Sequence, residues 1–218
     1  MLVRVKICCI SSVEEARLAI ECGASALGLV SAMPSGPGVI PDELIAEIAQ
    51  TIPPGIGSFL LTSAEDVDQI IEQQRRSRVN TLQLVDRLPA GSHRRLLKAL
   101  PGISLVQVIH VTGEESIREA VEVAPEVDAV LLDSGNPSLA VKELGGTGRV
   151  HNWEISRSIR DAISKPLFLA GGLNSENVAT AISIVEPYGV DICSGVRTNG
   201  ELDKAKLQGF VREVNFTS

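Results

Sequence analysis

Apolar residues in this chain gather into short unbroken runs, and between the runs they recur at every third or fourth position. Runs without alternation suit strands buried on both faces of a parallel sheet, while the intervening spacing suits helices with one apolar face. The runs predict strands at Leu2–Cys8, Ala26–Val30, Ile56–Leu61, Asn80–Val85, Ser104–Ile109, Asp128–Asp133, Pro166–Ala170 and Val190–Cys193. Ser11 or Ser12 is expected to cap a first helix carrying Ala16, Leu18, Ala19 and Cys22, which Gly23 stops. Pro41 opens a second with Leu44, Ile45 and Ile48, and Ser63 caps a third with Val67, Ile70 and Ile71. Further helices are expected near Ser92–Leu100 and Glu114–Val123, from Trp153, after Asn174 as N-cap, and near Asp203–Val214. Alternation this regular, repeated through eight βα units, predicts an α/β fold of the (β/α)8 TIM-barrel type, in a single domain spanning 1–218. An open doubly wound sheet is the runner-up, disfavoured because no G-x-G-x-x-G follows the first strand.

Composition narrows the picture. With 44% hydrophobic residues and only 3% aromatics, the core must be aliphatic. A net charge of -7 argues against a nucleic-acid surface, and the basic cluster Arg75, Arg76 and Arg78 falls where cations complement a helix C-terminus. No apolar run approaches the roughly 20 residues needed to span a bilayer, and the amino terminus begins on a strand-like run without a signal pattern. A cytoplasmic protein without a membrane partner, monomer or homodimer, is the expectation. The four cysteines, Cys8, Cys9, Cys22 and Cys193, contain no C-x-x-C pair and read as free thiols. His93, His110 and His151 are scattered, so no metal is expected.

Candidate chemistry concentrates at strand ends. Gly171-Gly172 and Ser194-Gly195 follow the seventh and eighth runs, where backbone N–H groups can cradle an anion, most simply a phosphate. The long Ser134–His151 connection carries Gly145-Gly146-Thr147-Gly148 and is expected to be functional. In the first strand Val3, Val5 and Ile7 face the helices, leaving Lys6 and Cys8 toward the barrel interior. Cys8 and Asp133, at the ends of the first and sixth strands, would converge on one mouth as a base and an acid for proton transfer. Lys6 would lower the Cys8 pKa from its free value of about 8.5. The bland alternatives are a small core hydrophobe at Cys8 and a loop cap at Asp133.

Taken together, these segments resemble the phosphoribosylanthranilate isomerase family of tryptophan biosynthesis, of which this chain looks like a divergent member. The resemblance rests on Val5-Lys6-Ile7-Cys8, Leu82-Gln83-Leu84, Leu131-Leu132-Asp133, Gly145-Gly146-Thr147-Gly148 with Trp153, Leu169-Ala170-Gly171-Gly172-Leu173, and Val190-Asp191 through Ser194-Gly195-Val196. It implies a (β/α)8 enzyme that performs an Amadori rearrangement of a phosphorylated small molecule without a cofactor, with Cys8 as general base and Asp133 as general acid. It further implies phosphate contacts at Gly146, Thr147 and Gly148, at Gly171 and Gly172, and at Ser194 and Gly195. Lys6 and Arg197 are counted with the substrate contacts, Arg197 as a candidate for a displaced guanidinium. The pattern departs from the family at Pro37, where an Arg after strand two usually faces the anthranilate end, at Val85-Asp86 after strand four, and at Cys9 and Arg197. These departures frame an alternative, a paralogue that binds a phosphorylated metabolite without isomerising it.

Overall fold

The computed structural model describes residues 2–135 and 151–217. Eight parallel strands run in sequence order around a closed barrel: β1 Arg4–Ile7, β2 Ala26–Val30, β3 Gly57–Thr62, β4 Thr81–Leu84, β5 Ser104–His110, β6 Ala129–Asp133, β7 Leu167–Leu169 and β8 Gly189–Ile192. Pairing of β1 with β8, Lys6 opposite Asp191 and Ile7 opposite Ile192, closes the ring. The helices are α1 Val13–Glu21, α2 Asp42–Thr51, α3 Val67–Ser77, α4 Ser92–Ala99, α5 Glu115–Val123, α6 Trp153–Ala162, α7 Val178–Val185 and α8 Lys204–Thr217. No helix of the described residues is long and apolar enough to cross a membrane.

Strand alternation divides the core into two layers. Val5, Ile7, Leu27, Leu29, Leu60 and Leu82 point outward into the main apolar cluster with α-helical residues such as Ala16, Ile45 and Ile70. Each such aliphatic side chain, once buried, stabilises the fold by about 1.5–3 kcal/mol. The inner layer holds Ala26, Phe59, Leu61, Val106, Leu131 and Phe168. Phe59 meets Phe168 edge to face at 6.0 Å, and Phe168 meets Tyr188 at 5.4 Å, so aromatic rings fill the lower barrel and leave the upper end to the site.

Several helix starts differ from the sequence expectation. Ser12 caps α1 as expected, its Oγ accepting from Glu15 N–H at 3.1 Å, and the Glu15 carboxylate returns the favour to Ser11 N–H at 3.0 Å. Asp66 rather than Ser63 caps α3, because its carboxylate accepts from Gln69 N–H at 2.9 Å. Asn174 closes a turn ahead of α7: its side chain accepts from Glu176 and Asn177 N–H, and Asn177 Oδ1 accepts from Asn174 N–H, so the helix begins only at Val178. Between β8 and α8 lies a hairpin absent from the expected elements, β9 Arg197–Thr198 against β10 Glu201–Leu202.

Candidate active site

At the carboxyl ends of the strands lies a cavity of about 650 Å³, counted to include space open to solvent. Cys8, Asp133, Gly171, Gly172 and Ser194 all line it, so five of the expected site residues meet in one place. Each arrives by the same logic: an inward position at the last turn of a parallel strand, or the loop just beyond.

Cys8 follows β1 on its inward face and is buried, with its backbone N–H donating to Ile192 O at 2.8 Å across the barrel seam. Opposite, Asp133 ends β6 half-buried, and its Oδ1 accepts from Ser134 N–H at 2.7 Å. Burial pushes the Asp133 carboxyl up to about 6, with the Asp191 charge adding to the rise while the Ser134 hydrogen bond and Lys6 oppose it. A carboxyl with that range can hold a proton near neutral pH and release it to a substrate oxygen.

Lys6 does not line the cavity. It is fully buried below it, its Nζ 2.9 Å from Asp191 Oδ1 and 5.3 Å from the centre of the Phe59 ring. Neither Nζ nor that Oδ1 completes a hydrogen bond of good angle at this distance. Burial works to lower the Lys6 pKa, but the Asp191 and Cys8 charges more than offset it and the ammonium is held in its charged form. Gly28 makes room for this arrangement: a Cβ there would stand 3.0 Å from both Cys8 Sγ and Lys6 Nζ. Asp191 itself reaches the cavity wall, a role that sequence reasoning missed. Its signal was a lone acid on the inward register of an apolar strand. Gln83, buried with an Oε1 that has no partner among the described residues, also lines the cavity and was missed as a site residue.

The two glycine turns come together as expected. Gly171 has φ +83°, and a Cβ there would stand 3.0 Å from His151 Nδ1 and from Ser134 Oγ. Burial holds His151 down to about 4, so the imidazole beside this turn is neutral. Gly195 sits so close to loop seven that a Cβ would run into the Leu173 carbonyl oxygen. The N–H groups of Gly171, Gly172, Ser194 and Gly195 have no acceptor among the described residues, which is the donor set an anion needs. Gly146, Thr147 and Gly148 lie outside the described residues.

Arg197 does not line the cavity either. Its Nη1 meets Glu15 Oε1 at 2.7 Å, its Nη2 meets Glu15 Oε2 at 2.9 Å, and it also donates to the carbonyls of Cys9 and Gly200. The guanidinium is thereby fastened to α1 and loop one. Where the family pattern has a loop-two Arg, the wall here is Met33, Ser35, Gly36 and Pro37, and the lining includes no Lys or Arg among the described residues. After strand four, Gln107 Nε2 donates to the Asp86 carbonyl at 3.0 Å and His110 Nε2 lies 3.0 Å from the Val85 carbonyl, so β5 side chains secure that altered turn.

A family model described as N-(5'phosphoribosyl)anthranilate (PRA) isomerase matches residues 5–213. The chain belongs to that family. An N-(5'-phosphoribosyl)anthranilate isomerase 2 of Methanosarcina mazei is 38% identical over 210 residues, covering 95% of this chain and 92% of the relative. The crystal structure of phosphoribosyl anthranilate isomerase from Thermotoga maritima superposes with a TM-score of 0.84 at 30% identity, over 97% of this chain and 98% of that one. Another phosphoribosyl anthranilate isomerase, crystallised with reduced 1-(o-carboxyphenylamino)-1-deoxyribulose 5-phosphate, gives a TM-score of 0.81 at 28% identity, again over 97% and 98% of the two chains. Cys8, Asp133 and the turns at Gly171-Gly172 and Ser194-Gly195 match the pattern on which the resemblance rests, whereas loop two and the turn after β4 depart from it.

Proposed function

We propose that this protein is an aldose–ketose isomerase that converts N-(5'-phosphoribosyl)anthranilate to the corresponding aminodeoxyribulose phosphate, a step in tryptophan biosynthesis. The observation that carries the reading is a single cavity lined by Cys8 and Asp133 together with the bare turns at Gly171, Gly172 and Ser194, in a chain of this family. Asp133, kept partly protonated by burial, donates to the ribose ring oxygen, and the ring opens to a Schiff base. Cys8 removes the C2 proton, and the resulting enolamine collapses to the aminoketose. No net oxidation occurs, because the hydrogen lost at C2 is balanced by the proton gained at C1. The backbone donors of loops seven and eight hold the phosphate and fix the sugar against both groups.

The alternative of a binding protein that does not isomerise is not favoured, since both the acid and the thiol face the same space. The direct test is the decay of phosphoribosylanthranilate fluorescence with purified protein. Protein-dependent decay is the expected result. Undiminished fluorescence, with a phosphorylated ligand still bound, would return the reading to a binding protein.

A further inference from the structure

We propose that Cys9 and Cys193 form a reversible oxidation site at the cavity mouth, where hydrogen peroxide converts this pair to an intramolecular disulfide. Cys9 follows β1 and Cys193 follows β8, the two strands whose pairing closes the barrel, and both side chains line the cavity. Their Sγ atoms are in close contact, 2.7 Å apart, both residues being free thiols.

The surrounding scaffold holds both partners in place. Cys9 has a left-handed backbone, φ 62°, uncommon for a residue with a side chain, and its carbonyl accepts from Arg197 while its Sγ donates to the Pro37 carbonyl at 3.6 Å. On the other side the Cys8 N–H bond to Ile192 O fixes the seam between the two loops. Cys193 is partly exposed on the cavity wall, which gives a small oxidant its route to the pair. The three sulfurs of Cys8, Cys9 and Cys193 are not arranged as a metal cluster, as no such group occurs among the described residues.

The pair is chemically unequal. The close contact with Cys9 and the Arg197 charge hold the Cys193 thiol below its ordinary range against the effect of burial, while contact with Cys193 and Cys8, with burial, pushes the Cys9 thiol up. Cys193, the less buried of the two, is therefore the attacking thiolate. It takes one peroxide oxygen as the O–O bond breaks, becoming a sulfenic acid, and the other oxygen leaves as water after gaining a proton. Cys9 then attacks the sulfenyl sulfur, the S–S bond forms, the S–O bond breaks, and the second water leaves with the Cys9 proton. Two thiols lose two electrons and two protons, and one hydroperoxide is reduced. A Cys8–Cys9 link is disfavoured because neighbouring Cα atoms stand about 3.80 Å apart, below the usual disulfide range of about 4.4–6.8 Å.

This proposal stands apart from the isomerase reading, since its readout is chemical. Reduced protein is treated with hydrogen peroxide, quenched, denatured, and assayed by thiol titration, intact mass and fragment-resolved peptide mapping. The expected result is that titratable thiols fall from four to two, the mass falls by two hydrogens, a peptide joins Cys9 to Cys193, and dithiothreitol reverses all three. Cys8→Ser should still form the link, whereas Cys9→Ser should stop at a sulfenic acid on Cys193 that a 1,3-dione traps. A link from Cys8 to Cys9, a link involving Cys22, or only oxygen addition without loss of hydrogens would overturn the proposal. The wild-type peptide map decides even if a variant fails to fold.

Discussion

Arg197 and Glu15 meet fork to fork, Nη1 to Oε1 at 2.7 Å and Nη2 to Oε2 at 2.9 Å, with both side chains largely shielded from water. Burial alone would raise the Glu15 carboxyl, yet Arg197 and the N–H groups of Leu202 and Ser11 hold it below its usual range. This pair ties α1 to the β9–β10 hairpin, so it is a fastening between the first and last βα units.

Removing one partner of such a pair strands the other charge, at a cost of about 3 kcal/mol. Arg197→Met should therefore lower the melting temperature by roughly 6–12 °C in a chain of this size. The double variant with Glu15→Gln should lose less than the sum of the single losses, measured by thermal denaturation. Were Arg197→Met to melt like the wild type while raising KM many-fold, Arg197 would belong to the substrate instead.

Cys8→Ser and Asp133→Asn should each lower kcat by at least about a hundredfold, the usual scale for a positioned base or acid. KM should change little, because the turns proposed to hold the phosphate are untouched. Steady-state kinetics on both variants checks this, and a variant that keeps wild-type kcat would remove that residue from the chemistry.

Asp133 also has a signature in stability. Its folded pKa, about 6, lies above the ordinary value of 3.8, so in that interval the folded state keeps a proton the unfolded state has lost. Stability from this group is accordingly complete below about pH 4 and falls as the pH rises through about 6. Asp133→Asn, which cannot ionise, should be more stable than wild type at pH 8 by on the order of 1–3 kcal/mol, with the gain shrinking toward pH 4. Urea denaturation of both proteins across this range provides the measurement, and a gain that grows on acidification would contradict the assigned direction.

Gly195→Ala places a methyl group against the Leu173 carbonyl, a backbone atom that cannot swing aside. We expect a loss of about 1–3 kcal/mol in stability, and a KM for the phosphorylated substrate raised more than kcat is lowered, because loops seven and eight are forced apart. Isothermal titration with inorganic phosphate would show the same weakening without turnover.

With Pro37 on the cavity wall and no Lys or Arg among its described lining residues, a substrate carboxylate lacks a cationic partner there. Pro37→Arg should raise kcat/KM roughly tenfold, the worth of about 1.5 kcal/mol from one charge-assisted contact. The comparison is between substrates with and without the ortho-carboxylate. An equal gain on both would show that the new side chain acts on something other than the carboxylate.

The barrel was legible because its strands are buried on both faces, so each appears in the chain as an uninterrupted apolar run. Local chemistry sufficed for the Ser12 cap and for the glycine turns. It misled at Ser63 and Asn174, where a nearby Asp66 or a self-closing turn makes the better cap. The charged partnerships were hidden for another reason: Lys6 and Asp191, or Glu15 and Arg197, lie at opposite ends of the chain and meet where its last βα unit closes against the first. Inspection of either partner alone shows a cation or an acid, and nothing local says which one neutralises it.

That same seam makes function a report on completeness. The proposed base, its buried ammonium neighbour and the thiol at Cys9 come from the first strand and the residues just after it, while Asp191, Cys193 and the Ser194-Gly195 turn come from the last strand and its loop. During synthesis, a chain that has made its first seven strands already possesses Cys8 but lacks Asp191, the carboxylate beside Lys6, and the turn at Ser194-Gly195. On the proposed assignment the site is therefore complete only once the last strand has docked against the first.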